Sequence, residues 1–405
     1  MEKHVIPPRF SAVLRNRSFI FLWAAQMLSQ LADRIYIYVL VLAAYTLTHT
    51  NLGVSVPMLS FGIPSVLFAS FAGVYVDRWN KKYTMLVSCL LRAALIFLML
   101  ILLKSSLVWI FFVSFAIYTI AQFFAPAEAS SLAEIVEREN LILANSLFMT
   151  TWMWSSVAAF GVGALLVSAF GNDNTLIISS VLYIISSLSI LFVSLKYSVH
   201  NPESSVRTVK KDLLAGFEFI RRSSIIRHAL FKMFMITSAL AVVSMLAIQF
   251  AEQYIGIGAQ NFGYLVIVAA AGMLFGMWML GRLSHFFKKG HIIFAGFLMT
   301  GSCLMLLSQT KNLYLAFFYC FVLGVGNILI NATLQTTVAH NTPRSLRGRV
   351  FGIQNMLINF AFTVPVVLFG VIADYFGLDT SILLLGIILF IPAAMVLVDP
   401  QSRIA

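Results

Sequence analysis

The chain has 405 residues, of which 60% are hydrophobic, 14% aromatic and only 10% charged, whereas a soluble domain carries about 25% charge. So few charges cannot cover a water-facing surface, which excludes a soluble enzyme and indicates an integral membrane protein. The formal net charge of +12 does not signal a nucleic-acid partner, because the basic residues sit in short segments between apolar runs.

Those runs have the length of a membrane-crossing helix, about 20 residues. They fall near 18–47, 53–76, 83–103, 107–126, 144–169 and 174–196, then near 228–250, 263–282, 291–309, 313–338, 351–373 and 380–398. Their apolar character is continuous, not alternating over about 10 residues, so a β-barrel is excluded. The first run is too long for a cleaved signal peptide and is read as the first span. Of the 27 Lys and Arg, 22 lie in the N-terminal arm, the even-to-odd connections and the tail. Lys104 and Lys311 lie in the opposite connections, and Arg34, Arg92 and Lys232 lie within spans. Basic residues mark the cytoplasmic side, so this bias predicts an even number of spans with both termini inside.

The first span carries Gln26, Gln30 and Asp33 at helical spacing, followed by Arg34. The third carries Cys89 and Arg92 and the fourth Tyr118 and Gln122. An ionisable group at mid-depth costs about 2.5–3.5 kcal/mol on insertion scales, which makes Asp33, Arg34 and Arg92 functional candidates. Neighbours on a helix point about 100° apart, so Asp33 and Arg34 cannot serve one partner site. Two readings of Asp33 stand side by side. In one it takes up a proton from outside and releases it inside; in the other it is fixed in an ion pair with Arg34 or Arg92.

The one long connection, 197–227, divides the chain into 1–196 and 228–405. It contains His200, Pro202, Arg207, Lys210, Lys211, Arg221 and Arg222, with Leu213, Leu214, Phe217 and Ile220 in a helical pattern. That composition fits an amphipathic segment on the anionic inner leaflet, or a solvated tether. The halves echo one another: Phe170-Gly171 closes the fifth span and Phe376-Gly377 the eleventh, 206 residues apart, as structural repeats of a transporter would.

In the second half, Asn327, Asn331 and Gln335 form one stripe on the tenth span, and Asn355, Asn359 and Thr363 another on the eleventh. The stripes on the first, fourth and tenth spans are read as lining a substrate cavity, and that on the eleventh as helix packing. Gly272-x-x-x-Gly276 is read as a helix contact. Most of the 36 Phe and 17 Met face lipid or pack the bundle. The three cysteines lie in apolar runs and form no disulfide framework. No metal-ligand spacing, nucleotide-binding loop or hydrolase nucleophile motif is present, so neither a metal nor a cofactor is expected.

Between the second and third spans the chain reads Gly73-Val-Tyr-Val-Asp77-Arg78-Trp-Asn-Lys81-Lys82. This resembles the loop signature of the major facilitator superfamily, Gly-x-x-x-Asp-Arg-x-x-Arg/Lys-Arg/Lys, and the resemblance covers the whole chain. Gly73 suits close helix approach, and Asp77 suits the partial positive charge at a helix N-terminus. In the family that helix is the eleventh span. The resemblance further implies that Lys81 pairs with Glu128 at the end of the fourth span as part of an inner gate, and that spans one, four, seven and ten line the cavity. The copy after the eighth span, Gly281-Arg282-Leu-Ser-His285-Phe-Phe-Lys288-Lys289, lacks the Asp.

Ala125-Pro126-Ala127, Leu143-Ala144-Asn145-Ser146, Pro343-x-x-x-Arg347-Gly348-Arg349-Val350-Phe351 and the Asp33-Arg34 pair are similar to the branch of macrolide-efflux and enterobactin-exporter proteins. The chain departs from that branch in having Cys89 where an acid often precedes the span-three arginine. Ala159-Phe160 occupies the Gly-Pro place of the antiporter signature, although Gly161 and Gly163 remain. An arginine of the fourth span in many drug/proton antiporters is absent. The resemblance implies an all-α membrane fold of twelve helices in two six-helix bundles. It implies export of an amphipathic small molecule against protons, by a monomer in the lipid bilayer of the plasma membrane. A lysophospholipid flippase, a siderophore exporter and a transport-inactive sensor are the alternatives.

Overall fold

The computed structural model describes residues 10–76, 78–103, 105–195, 206–343 and 346–398, and every regular element among them is helical. A short helix, Phe10–Arg15, leads into the first span, Arg17–Thr48, followed by Asn51–Val76, Lys81–Leu102 and Leu107–Ile135. The next helical stretch, Leu141–Leu191, is 51 residues long but turns at Gly171 (φ 78°, ψ 173°), so it supplies the fifth and sixth spans. Ser224–Gln249 continues through a π-helical turn, Phe250–Tyr254, and is followed by Gly263–Phe286, Lys289–Leu307 and Leu313–Asn341. The eleventh span is Arg347–Ala361 with Val364–Phe376, and the twelfth Leu378–Ile388 with Phe390–Val398.

Eleven helical stretches among the described residues are long and apolar enough to cross a membrane, and Leu141–Thr151 is a shorter apolar piece. Dividing the long stretch at Gly171 gives the twelve spans read from the sequence. Gly377 stands at the same kind of corner, with φ 92° and ψ 156°. Only glycine adopts this backbone without strain, which is why the two halves repeat Phe-Gly there. The span starts are set by side-chain caps that satisfy free N–H groups. Asn80 accepts from the Tyr83 N–H, Ser106 from Val108, Ser223 from Ile226, and Asn312 from Tyr314 and Leu315.

The fourth span differs from expectation. It runs nine residues past Pro126, to Ile135. Proline is tolerated inside spans because neighbouring groups re-satisfy the freed carbonyl, so Pro126 does not end the helix.

By their contacts the residues form two compact units, 1–43 with 63–206 and 44–62 with 207–405. The second unit thus takes in the junction of the first two spans. The cause is hydrogen bonding: Tyr45 donates to Glu252 at 2.5 Å and the Asn51 N–H to Asp374 at 2.8 Å. In the first unit, a Cβ on Gly163 would fall 2.9 Å from the Tyr38 ring, so small size there lets the first and fifth spans approach. In the second, Gly272 and Gly276 meet the backbone of Phe321 and Val325, and Gly324 meets that of Ala269. This is the expected close contact, made between the eighth and tenth spans.

The connecting segment holds a helix, Val206–Arg222. Its Gly216 seats against Arg349 and Ile353 at the start of the eleventh span, while Leu214 and Phe217 remain exposed.

Candidate functional site

Three spans converge on Asp33. The Tyr183 hydroxyl of the sixth span donates a hydrogen bond to Asp33 Oδ1. From the third span, Arg92 Nη1 lies 3.4 Å from Asp33 Oδ2 and donates to the Tyr183 oxygen at 3.1 Å. The Arg92 Nε donates to the Ser88 carbonyl at 3.3 Å, and its guanidinium lies over the rings of Tyr183 and Phe124, 4.4 and 4.9 Å from their centroids. Arg92 is thus held by a carboxylate, a hydroxyl, a carbonyl and two π faces, the combination a buried guanidinium requires.

The two sides of the pair differ in access. The Arg92 side chain is 2% exposed, that of Asp33 28%. The carboxylate is therefore ion-paired yet reachable, and its partner is Arg92, not Arg34. Arg34 forms neither a hydrogen bond nor an ion pair among the described residues, and its charge reaches Tyr118 instead. The acid missing at Cys89 is supplied from the first span, and Cys89 Sγ accepts a weak bond from Arg92 Nη2 at 3.8 Å.

The sixth span holds this geometry through serines. Ser179 and Ser186 donate to the carbonyls of Ala32 and Ala25 at 2.8 Å, and Ser180 to that of Ala93 at 3.0 Å. Tyr183 was not singled out from the sequence. Thr175, Ser179, Tyr183 and Ser186 nevertheless form a polar stripe at helical spacing, and that stripe is the signal that marks it.

The other predicted cavity residues divide. Gln26 is buried and donates to the Phe148 carbonyl at 3.5 Å, with its own Oε1 unpartnered among the described residues. Gln30 is partly exposed. Tyr118 packs beside Tyr36, 6.3 Å between ring centroids, and Gln122 donates back to the Tyr118 carbonyl at 3.1 Å. In the second unit Asn331 donates to Asn327 at 3.1 Å, while Gln335 accepts from Gln354 of the eleventh span at 2.5 Å. Gln335 is therefore engaged in helix packing as well as being exposed.

The gating residues change most. Lys81 pairs with Glu134, not with Glu128. The fourth helix continues past Pro126, and six further residues carry it about 9 Å onward, so Glu134 reaches the level of Lys81 at the start of the third span. Glu128 is left with Oε1 buried and, among the described residues, without a hydrogen-bond partner. Lys82 donates to the Leu191 carbonyl at 2.6 Å, and Arg78 is exposed. A Cβ on Gly73 would meet nothing within 4 Å among the described residues, so the close approach expected there is not made. Asp77 lies outside the described residues.

Comparison with known proteins places these features in a family. The family described as Major Facilitator Superfamily matches residues 22–366. The uncharacterized MFS-type transporter YfiS of Bacillus subtilis is 23% identical over 401 residues, covering 96% of this chain and 95% of that protein. Macrolide efflux protein A of Streptococcus pyogenes is 21% identical, covering 91% and 92%. Among solved structures, a bacterial homolog of the human lysosomal transporter Spinster superposes with a TM-score of 0.78 at 13% identity. The match covers 96% of this chain and 98% of that one.

Proposed function

The chain belongs to the major facilitator superfamily, a family of membrane transporters and not of enzymes, and from that premise we propose that it exports an amphipathic, drug- or macrolide-like molecule in exchange for protons. Two six-helix bundles joined by 197–227 expose a midplane site alternately to each side of the plasma membrane, with both termini in the cytoplasm and one chain as the working unit.

The observation that carries this reading is the Asp33–Arg92–Tyr183 cluster. A mid-depth carboxylate that is partly exposed can exchange protons, while the buried cation beside it makes its charge state consequential. With Asp33 ionised, Arg92 is neutralised and Tyr183 is oriented by the carboxylate. With Asp33 protonated, Arg92 loses this counterion and the three spans lose their ionic contact, while the serine bonds of the sixth span remain. Proton uptake from outside therefore changes how the first, third and sixth spans are held, which is the step a proton-driven exporter needs. Gln26, Gln30, Tyr118, Gln122, Asn327, Asn331 and Gln335 supply the polar contacts for substrate, and Gly73, Asp77, Arg78, Lys81 and Lys82 the inner gate.

The test uses inverted vesicles with a pH-sensitive dye, adding macrolides, cationic dyes, siderophores and lysolipids in turn. A macrolide or dye should dissipate the gradient in the wild type and fail to do so in Asp33→Asn at equal membrane abundance. Unchanged driven transport in Asp33→Asn removes the coupling role. Movement of labelled lipid makes the protein a flippase, and gradient loss with siderophores alone makes it a siderophore exporter. No flux with any compound makes it a sensor.

A further inference from the structure

Glu128 sits in the fourth span with Oε1 buried and no donor to meet it among the described residues. A buried carboxylate oxygen without a donor is costly if the group is charged, and the cost falls when the group carries its own proton. The surroundings specify more. Glu128 lies one helical turn beyond Phe124, on the same face, and helical side chains lean back toward the N-terminus, so Glu128 leans over the turn that bears Phe124. Arg92 stacks on that ring, and among the described residues Arg92 is the one charge that reaches Glu128. The same guanidinium pairs with Asp33.

We infer that Arg92 serves two carboxylates in turn, and that Glu128 is a second proton-carrying site that is protonated while Asp33 is ionised. Two acids around one buried cation are electrically balanced when they share a single proton. In the present arrangement Asp33 is the anion, Arg92 the cation and Glu128 the neutral acid. When Asp33 gains a proton, Arg92 turns its free charge on Glu128, which releases its proton and becomes the anion. One proton enters at the first span, one leaves from the fourth, and the net charge of the cluster is zero before and after the exchange. Charge balance matters here because separated charges interact far more strongly in a low-dielectric interior than in water. The other titratable and charged groups around the cluster are Arg34, Tyr36, Tyr118, Tyr183 and Cys89. None of these adds a second carboxylate.

This inference rests on the proton-exchange reading for its role in transport, but the protonation itself is measured without transport. Infrared spectra of the full chain in lipid at neutral pH should contain a carboxylic-acid C=O band that disappears in Glu128→Gln. The glutamine copies the shape and neutrality of the protonated acid, so that variant should fold. In Asp33→Asn the same band should also disappear, although Glu128 is still present, because Arg92 then has only Glu128 to neutralise it. A band that survives in Glu128→Gln belongs to another group and overturns the assignment. A band that persists in Asp33→Asn shows that the two acids do not share Arg92, and a wild type without the band overturns the protonation outright. A failed vesicle assay with an intact band pattern refutes proton exchange while leaving the shared cation standing.

Discussion

Asp374 caps Asn51. One oxygen of the Asp374 carboxylate accepts from the Asn51 backbone N–H at 2.8 Å and from its side-chain amide at 3.0 Å, and the other accepts from the Leu52 N–H at 2.9 Å. The Asn51 amide also donates to Gln249 at 2.5 Å. The end of the eleventh span thus satisfies the free N–H groups that open the second span, with a negative charge at the positive end of the helix. Gly370-Val-Ile-Ala-Asp374 repeats the spacing of Gly73-Val-Tyr-Val-Asp77.

Removing this cap should cost about 1–2 kcal/mol. Asp374→Ala should therefore lower the thermal unfolding midpoint of the purified protein, with Asp374→Asn intermediate because it keeps an acceptor and loses the charge. An unchanged midpoint in Asp374→Ala would mean that water replaces the carboxylate without loss.

Taking away one member of the buried ion pair should be worse than taking away both. Arg92→Met leaves Asp33 without its counterion; breaking a fully buried pair costs about 3–5 kcal/mol, and the 28% exposure of Asp33 places the loss below that range. Asp33→Asn combined with Arg92→Met should recover most of the lost stability, while leaving no pH-driven transport. Additive losses in the double variant, read by thermal unfolding, would show that the two side chains do not act as a pair.

Tyr183→Phe deletes the donor to Asp33 and an acceptor for Arg92 with little change in shape. Hydrogen bonds to charged groups contribute about 1.5–3 kcal/mol, so a measurable drop in stability and in driven efflux is expected. Ser179→Ala, which removes only a bond to the Ala32 carbonyl, serves as the comparison and should cost less. Equal losses in the two variants would deny Tyr183 any special part.

Outside the membrane, Glu218 accepts from Arg222 at 2.7 Å and lies 3.3 Å from Arg221. The Arg222 bond, followed by the charge of Arg221, holds its carboxyl below the usual value. A depressed value in the folded state means that the stabilisation is present above the unfolded value near 4.5 and is lost as pH falls through the folded value. Titration followed by NMR should place the Glu218 midpoint below that of an ordinary glutamate, and Arg222→Gln should raise it. A midpoint indifferent to Arg222→Gln would sever the link.

Much of the architecture was legible because membrane insertion acts on long, simple patterns. The span positions follow from apolar runs, and the repeated corners follow from Gly171 and Gly377, whose backbone no other residue adopts cheaply. The first-span acid and third-span arginine were also visible, since charge in hydrocarbon is conspicuous. Their partnership was not, because either Arg34 or Arg92 satisfied the same sequence. The resemblance implied Glu128 as the partner of Lys81, but the fourth helix continues to Ile135 and brings Glu134 within reach instead. Tyr183 was hidden by its ordinary character, one tyrosine among 13.

The amino-acid order by itself determined the membrane solvent, the twelve crossings, the inside-out bias of charge and the family, all of which depend on properties summed along the chain. Tertiary structure decided which cation answers Asp33, which acid answers Lys81, that Asp374 closes the start of the second span and that Glu128 Oε1 has no donor among the described residues. Those outcomes depend on which helix faces meet and at what height, and a shift of a few residues in one helix exchanges one partner for another at no cost in hydrophobicity.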